Sequence, residues 1–401
     1  MITVQEAEQI INRHTIQLQS EEVPLQQAAG RILEEQVLAD RDFPPFNRVT
    51  MDGIAVKFSD LENGIKVFNI AGIQAAGVAP MSIDQPGQAL EVMTGAVMPE
   101  GTDTVIPYEL ISISENDKKA TVVEALTTKG KNVHYKGSDR PQGSVILKSG
   151  TVIGAAEIGV AATVGKSTLS VRKAPKVAIV STGDELVPID QNPLPHQIRS
   201  SNAATLVTCL KDWAIEPGVY HLGDDLQGTT STLKSLIDTY QILILSGGVS
   251  KGKFDYVPQA LGSIQVKKDF HRIKQRPGKP LWFGTHESGT IVFAFPGNPV
   301  SSFMCFHRYL KPWLQRCMGL SVPVMQAVLT DTIYFKPALT YFAQVKISLE
   351  KGILYAQPVE GHGSGDLANL ADADGFIELP AAKTRFLKGE NYPIYPFRSK
   401  I

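Results

Sequence analysis

The stretch QILILSGGVSKGKFD, residues 241–255, sets an apolar run against a glycine-rich loop that ends on a carboxylate. A short run of Ile and Leu without polar alternation, stopped by glycines, reads as a buried strand. A glycine-rich turn after such a strand usually holds an anion, because its N–H groups converge on one point. The question is which anion, and why Asp255 closes its cradle.

The pattern repeats on both sides. KVAIVS (176–181), GVYHLG (218–223) and TIVFAFPGNP (290–299) read as further strands. NAATLVTCLKDW (202–213), TTSTLKSLIDTY (229–240) and VSSFMCFHRYLKPWLQR (300–316) read as helices. This alternation predicts a doubly wound, mostly parallel sheet with helices on both faces, over residues 174–322. Upstream, Thr3 and Glu6 form a capping box before Ala7, Ile10 and Ile11 at helical spacing, and Leu25–Ala39 also reads as helical. From Pro44 to residue 138, glycines recur between short apolar runs, which predicts a small β-rich domain. GTVIGAAEIGVAATV (150–164) turns helical again. The β piece, 44–138, is thus expected as an insertion in a discontinuous helical N-terminal domain, 1–43 and 139–173. Strand-like alternation after Pro323 predicts a β-barrel-like C-terminal domain over 323–401.

Composition narrows the function. The 401 residues carry 39 basic and 40 acidic side chains, a net charge of −1, so a broad nucleic-acid-binding face is not expected and any anion site must be local. Cys209, Cys305 and Cys317 form no CxxC pair, which fits a reducing compartment and gives no zinc signature. The N-terminus MITVQEAEQIINRH lacks the basic and apolar regions of a secretory signal, and no stretch is apolar for long enough to span a membrane. A soluble cytoplasmic protein is expected. GVAATVGKS (159–167) only resembles a phosphate loop. Five residues, not four, separate its glycines, and helix precedes strand.

In doubly wound sheets, ligands bind beyond the carboxyl ends of the strands. Those ends read STGDEL with Asp184 and Glu185, GDD with Asp224 and Asp225, SGGVSKGKFD with Asp255, and PGNPVS opening a helix at Pro299. Backbone N–H groups at Gly247, Gly248 and near Val300 can bind phosphate oxygens, and Ser250 and Ser301 can add hydroxyl donors. Arg276 and Lys279 in RPGKP supply positive charge. Acids beside a phosphate require a cation between them, and oxygen-only ligands suit Mg²⁺. An acid after a strand also often caps the next helix. Four such ends together favour an α/β domain that binds a phosphorylated ligand with a divalent metal.

At these loops the chain resembles the molybdopterin molybdenumtransferase family, which is related to the catalytic domain of gephyrin. The resemblance rests on STGDEL, SGGVSKGKFDY, RPGKP, FAFPGNPVSSF, MDG after PPF, MTGAVMPEGTDTVI and GHGSGDLANLADADGFIELP, in the family's order, from about residue 3 to 397. It implies an enzyme that places molybdate on adenylylated molybdopterin and releases AMP, as the last step of cofactor biosynthesis. It also implies a Mg²⁺ cofactor and a homodimer with its cleft between chains. The catalytic set carried over is Asp52, Asp139, Glu185, Asp225 (or its neighbour Asp224) and Asp255, with Glu185, Asp225 and Asp255 on the metal. Thr94, Ser181, Gly183, Gly247, Gly248, Ser250, Pro296, Gly297 and Asn298 would bind the pterin nucleotide. Arg276, Lys279, Ser301 and Ser364 would receive molybdate. In the implied dimer, Asp52 and Asp139 act across the interface from Glu185 and Asp255.

The sequence departs from the family pattern in places. PPFNRVTMDGIA stands where PPFDNSAMDGYA is usual, so Asn47, Arg48, Val49 and Ile54 are changes, while Asp52 is kept. His134 replaces a usual Arg, Ser138 a common Glu, and Gln344 an Arg associated with molybdate. Two competing functions follow, the first motivated by the changes at His134 and Gln344 and the second by the α/β domain alone. One is a non-catalytic paralogue that binds the pterin nucleotide. The other is a Mg²⁺-dependent nucleotide hydrolase of the competence-damage type.

Overall fold

Ile242–Ser246 is a central strand of a six-stranded sheet in the computed structural model, which describes residues 1–114, 116–124, 127–211, 213–249, 256–321, 323–361 and 363–398. The spatial order is Gly218–Leu222, Val177–Thr182, Ile242–Ser246, Ile291–Phe295, Trp282–Thr285, Lys267–His271. The first four strands are parallel, Trp282–Thr285 runs antiparallel to them, and Lys267–His271 pairs antiparallel with Trp282–Thr285. Alternate side chains enter two cores, which is why these strands read as unbroken apolar runs. Ile179, Ile244 and Phe293 face one core with Leu206 and Leu210 of the helix Ser201–Lys211. Val180, Leu245 and Val292 face the other, with Leu233 and Leu236 of Leu226–Ile237 and Leu261 of Val257–Ser263. The second strand in sequence lies on one side of the first and the third on the other, so the chain diverges at the carboxyl ends of Val177–Thr182 and Ile242–Ser246. A crevice at such a switch point is where this sheet type binds ligands.

The expected helix over 300–316 forms, with a π-helical segment at Phe306–Leu310 between Pro299–Cys305 and Lys311–Cys317. Pro312, just after that segment, cannot donate to the helical ladder. The capping box is also present. Thr3 accepts from Glu6 N–H at 3.1 Å, Glu6 accepts from Thr3 N–H at 2.7 Å, and Val4, Ala7 and Ile11 of Val4–Asn12 enter the first core. After residue 322, Thr340–Glu350, Ile353–Pro358, Met325–Leu329, Asn391–Pro396 and Gly375–Leu379 pair in that order. Gly375–Leu379 then pairs back to Thr340–Glu350, which closes a five-stranded barrel. These parts belong to one compact unit, Met1–Val23, Gln27–Glu34 and Ser170–Ile401.

A second unit comprises Pro24–Gln26 and Glu35–Leu169. Its largest sheet has six strands in the order Thr104–Pro107, Gly53–Val56, Gln88–Val92, Val67–Gln74, Lys119–Val122, Ile111–Ser114. Ile54, Phe68, Ile106 and Ala120 fill one core, while Ala55, Val92 and Val105 fill another. The helix Ala155–Thr163 is followed by a turn at Gly165 and a strand, so GVAATVGKS is a helix-to-strand turn. One expectation fails. Leu25–Ala39 is not a helix: after a single 3-10 turn at Leu25–Gln27, Gly30 takes a left-handed φ of +79° and breaks the helical path. Leu33 instead bridges Val171, and Val37–Leu38 pairs with Val145–Leu147. The apolar spacing was satisfied by extended chain, a tertiary override of local propensity. Among the described residues, no helix is long and apolar enough to cross a membrane.

Candidate active site

Where the parallel strands end, a cavity of about 470 Å³ opens at the switch point. Ser181, Thr182, Gly183 and Glu185 come from the first strand, Asp224 from the loop after the second, Ser246–Val249 from the third, and Pro296–Pro299 from the turn after Ile291–Phe295. Gly247 and Gly248 have positive φ, and a Cβ on Gly247 would lie 2.7 Å from Thr182 Oγ1 and 2.8 Å from its carbonyl oxygen. Only glycine lets the two strand ends meet so closely. Thr182 Oγ1 is buried there with no partner among the described residues. Two expected anion donors are corrected. Gly247 N–H donates to Phe295 O and Val300 N–H to Ser364 O, each at 3.2 Å, so both serve the fold.

The acids at the strand ends divide. Asp184 Oδ1 accepts from Asp224 N–H at 3.1 Å, while the Glu185 carboxylate folds over Gly183 and lines the cavity. Asp225 is the N-cap of Leu226–Ile237: it accepts from Gln227 N–H at 3.3 Å and Gly228 N–H at 2.5 Å. Asp224, not Asp225, lines the cavity. Within each acidic pair one carboxylate holds backbone and its neighbour is left to the cavity. Ser250 and Asp255 lie outside the described residues. Among the described residues, no three His, Cys, Asp or Glu side chains gather as a metal cluster.

A second cavity, about 440 Å³, shares Pro280, Pro296 and Asn298 with the first. Its lining includes Arg276, Lys279, Ser301, Gln344 and Ser364 and, among the described residues, no carboxylate. The RPGKP loop is pinned from beneath. Buried Gln275 donates to Gly278 O at 3.1 Å and accepts from Tyr309 OH, and a Cβ on Gly278 would meet Cys305 Sγ at 2.7 Å. Burial pushes the Cys305 thiol well up, so it stays a neutral packing group. Asn298 Nδ2 donates to Ser364 Oγ at 2.9 Å, which ties the PGNP turn to the barrel. Gln344 Oε1 is buried without a partner among the described residues, a neutral acceptor in a wall otherwise suited to anions.

Asp52, Thr94 and Asp139 lie in the second unit. Thr94 donates to Asp52 Oδ1 through its N–H at 2.6 Å and its hydroxyl at 2.8 Å. The N–H first, then the hydroxyl, hold the Asp52 carboxyl below the ordinary carboxylate range. Thr94, expected to touch the pterin nucleotide, gives both its N–H and its hydroxyl hydrogen to Asp52. Gly53 is obligatory in MDG, since a Cβ there would lie 2.0 Å from Ile106 O on the neighbouring strand. Asp139 Oδ1 lies 2.8 Å from His134 Nε2, and Arg48 Nη2 lies 3.1 Å from His134 Nδ1.

Sequence reading missed the segment Arg199–Asn202, which lines the first cavity. Asn202 Nδ2 donates to Ser246 Oγ at 2.8 Å and Gly297 O at 2.7 Å, joining two of the strand ends. RSSN ahead of the helix was the available signal, since small polar residues cluster where a chain enters a helix beside a ligand crevice.

Three family models match the chain. The MoeA N-terminal region (domain I and II) covers residues 2–165, the probable molybdopterin binding domain 178–316, and the MoeA C-terminal region (domain IV) 326–397. The molybdopterin molybdenumtransferase of a Synechocystis species is 38% identical over 98% of this chain and 100% of its own. That of Bacillus subtilis is 30% identical over 100% of this chain and 95% of its own. Among solved structures, a molybdopterin biosynthesis moeA protein from Pyrococcus horikoshii superposes with a TM-score of 0.83 at 27% identity, over 99% of this chain and 100% of that one.

Proposed function

The chain belongs to the molybdopterin molybdenumtransferase family, and we propose that it transfers molybdenum from molybdate to adenylylated molybdopterin with release of AMP, using Mg²⁺ and working as a homodimer. It is a transferase of molybdenum cofactor biosynthesis that acts on molybdopterin. The observation that carries the finer reading is the pairing of two cavities through Pro280, Pro296 and Asn298, one lined by Glu185 and Asp224, the other by Arg276 and Lys279 with no carboxylate among the described residues. A phosphoanhydride with its cation belongs beside acids. A tetrahedral dianion such as molybdate belongs beside a guanidinium, an ammonium and hydroxyls.

The donor set fits Mg²⁺. Glu185 and Asp224 offer only oxygen into one cavity, and this ion is commonly held by one or two carboxylates with substrate phosphate and water. When bound, Mg²⁺ neutralises charge on the phosphoanhydride as it opens. Asp184 and Asn202 keep the loops bearing Asp224, Ser246 and Gly297 in register. Arg276 and Lys279 draw molybdate into the second cavity, where Ser301 and Ser364 add hydroxyls. Asn298 stands at the shared wall, where molybdate or water would act as nucleophile. For the homodimer, we assign Asp52 and Asp139 of one protomer to the same reaction as Glu185 of its partner.

The test is to mix purified protein with adenylylated molybdopterin, Mg²⁺ and molybdate, and to follow AMP and active cofactor. Molybdate-dependent formation of both is expected. Tight nucleotide binding without AMP release would overturn the catalytic reading. Activity regained on mixing Asp52→Ala with Glu185→Ala protomers is expected for a site shared between chains, and its absence would remove that sharing.

A further inference from the structure

Arg48 and His134 stand opposite each other on a short antiparallel ladder, with Val49 facing Val133 beside them. The guanidinium Nη2 lies 3.1 Å from His134 Nδ1, and His134 Nε2 lies 2.8 Å from Asp139 Oδ1. The main chain fixes the far end, since Asp139 N–H donates to Phe43 O at 2.9 Å.

The chemistry of the three groups decides where the proton sits. A guanidinium has only donors. Its contact with Nδ1 therefore requires a bare lone pair there, and the single ring proton must be on Nε2, pointing at Asp139. A doubly protonated ring would set N–H against N–H at 3.1 Å. His134 is thus a neutral donor, and Asp139 accepts through Oδ1 as a carboxylate. A guanidinium placed directly on Asp139 would engage both oxygens in a fork and cancel the charge. The imidazole spacer occupies one oxygen and keeps the cation away. The rest of the carboxylate stays outward, with the Asp139 side chain 55% exposed.

We propose that Arg48 and His134 are positioning residues for Asp139, a guanidinium–imidazole–carboxylate chain that fixes the His134 tautomer and holds Asp139 oriented and free to act through its other oxygen. This rests on the assignment of Asp139 to the molybdenum-transfer reaction.

The test uses the full-length protein with ¹⁵N-histidine, His134 being assigned by its loss in His134→Gln. The ring nitrogens should report a bare Nδ1 and a protonated Nε2, and Arg48→Gln should mix the tautomers. A protonated Nδ1 in the unaltered protein, or no change in Arg48→Gln, would overturn the relay. Kinetics add an independent arm. His134→Leu should lower kcat for cofactor formation by roughly 10- to 100-fold with little change in KM. His134→Gln should restore most of it, because a carboxamide can accept from Arg48 and donate to Asp139 at once. Equal activity of the Gln and Leu variants, both folded by thermal unfolding, would overturn the positioning role. Full activity in Asp139→Asn would instead overturn the underlying assignment, whatever the tautomer.

Discussion

At the scale of the residue, adjacent acids with opposite duties organise the candidate site. Asp225 caps a helix while Asp224 faces the cavity, and Asp184 holds the Asp224 backbone while Glu185 faces the cavity. Asp225→Ala should therefore cost stability, about 0.5–2 kcal/mol for a lost N-cap, and spare most turnover. Asp224→Asn should leave the urea midpoint in place and lower turnover by roughly 100-fold or more. The reverse pattern in paired unfolding and AMP-release measurements would exchange the two roles. Asp52 gives a pH prediction. Its folded pKa is depressed by Thr94, so its contribution to stability is present above the unfolded value and is lost as pH falls through the folded one. Thr94→Ala keeps the backbone bond but removes the hydroxyl. The Asp52 midpoint, followed by carboxyl NMR, should move up towards the ordinary range, and the acid limb of the stability curve should move with it. The sequence showed acids at strand ends, but which acid of a pair is free depends on where the helix starts. Arg48 and His134 read as two separate departures. Only their facing register makes them one chain of contacts.

At the scale of the element, the α/β strands were legible because burial on both faces removes polar alternation, and QILIL, KVAIVS and TIVFAF all became strands. The C-terminal strands were legible as strands, whereas barrel closure depends on the pairing of Gly375–Leu379 with Thr340–Glu350, which no local pattern encodes. Leu25–Ala39 misled because helical spacing of apolar residues is also produced by extended chain wound against two different partners. Element packing gives its own prediction at Gly53, where the strands Gly53–Val56 and Thr104–Pro107 leave no room for a Cβ. Gly53→Ala should cost at least about 1–3 kcal/mol, because the obstacle is a backbone carbonyl that cannot swing aside. A thermal midpoint equal to that of the unaltered protein would show that the strand pair relaxes freely.

At the scale of the molecule, the larger unit is tied by contacts that span nearly the whole chain. Arg308, 5% exposed on the π-helical segment, donates to Glu8 of the N-terminal helix at 2.7 Å and to Glu378 of the barrel at 2.8 Å, and lies over the Tyr395 ring. Separations of 300 and 70 residues put these pairs beyond any sequence pattern. Removing the guanidinium strands Glu378, itself 7% exposed, so Arg308→Met should destabilise by about 3–5 kcal/mol. Adding Glu378→Leu should recover much of this, because the cost is mainly that of an uncompensated charge. The same tie bears on function. The second cavity takes Ser301 from the helix Pro299–Cys305 and Gln344 and Ser364 from the barrel, with Arg276 on a short strand paired to Tyr341 of the barrel, so its shape depends on the registry of helix and barrel. Arg308→Met, assayed well below its unfolding midpoint, should therefore raise the molybdate concentration needed for half-maximal turnover while the adenylylated pterin requirement changes little. Equal weakening of both would mean that the tie supports the fold as a whole and not the wall between barrel and sheet.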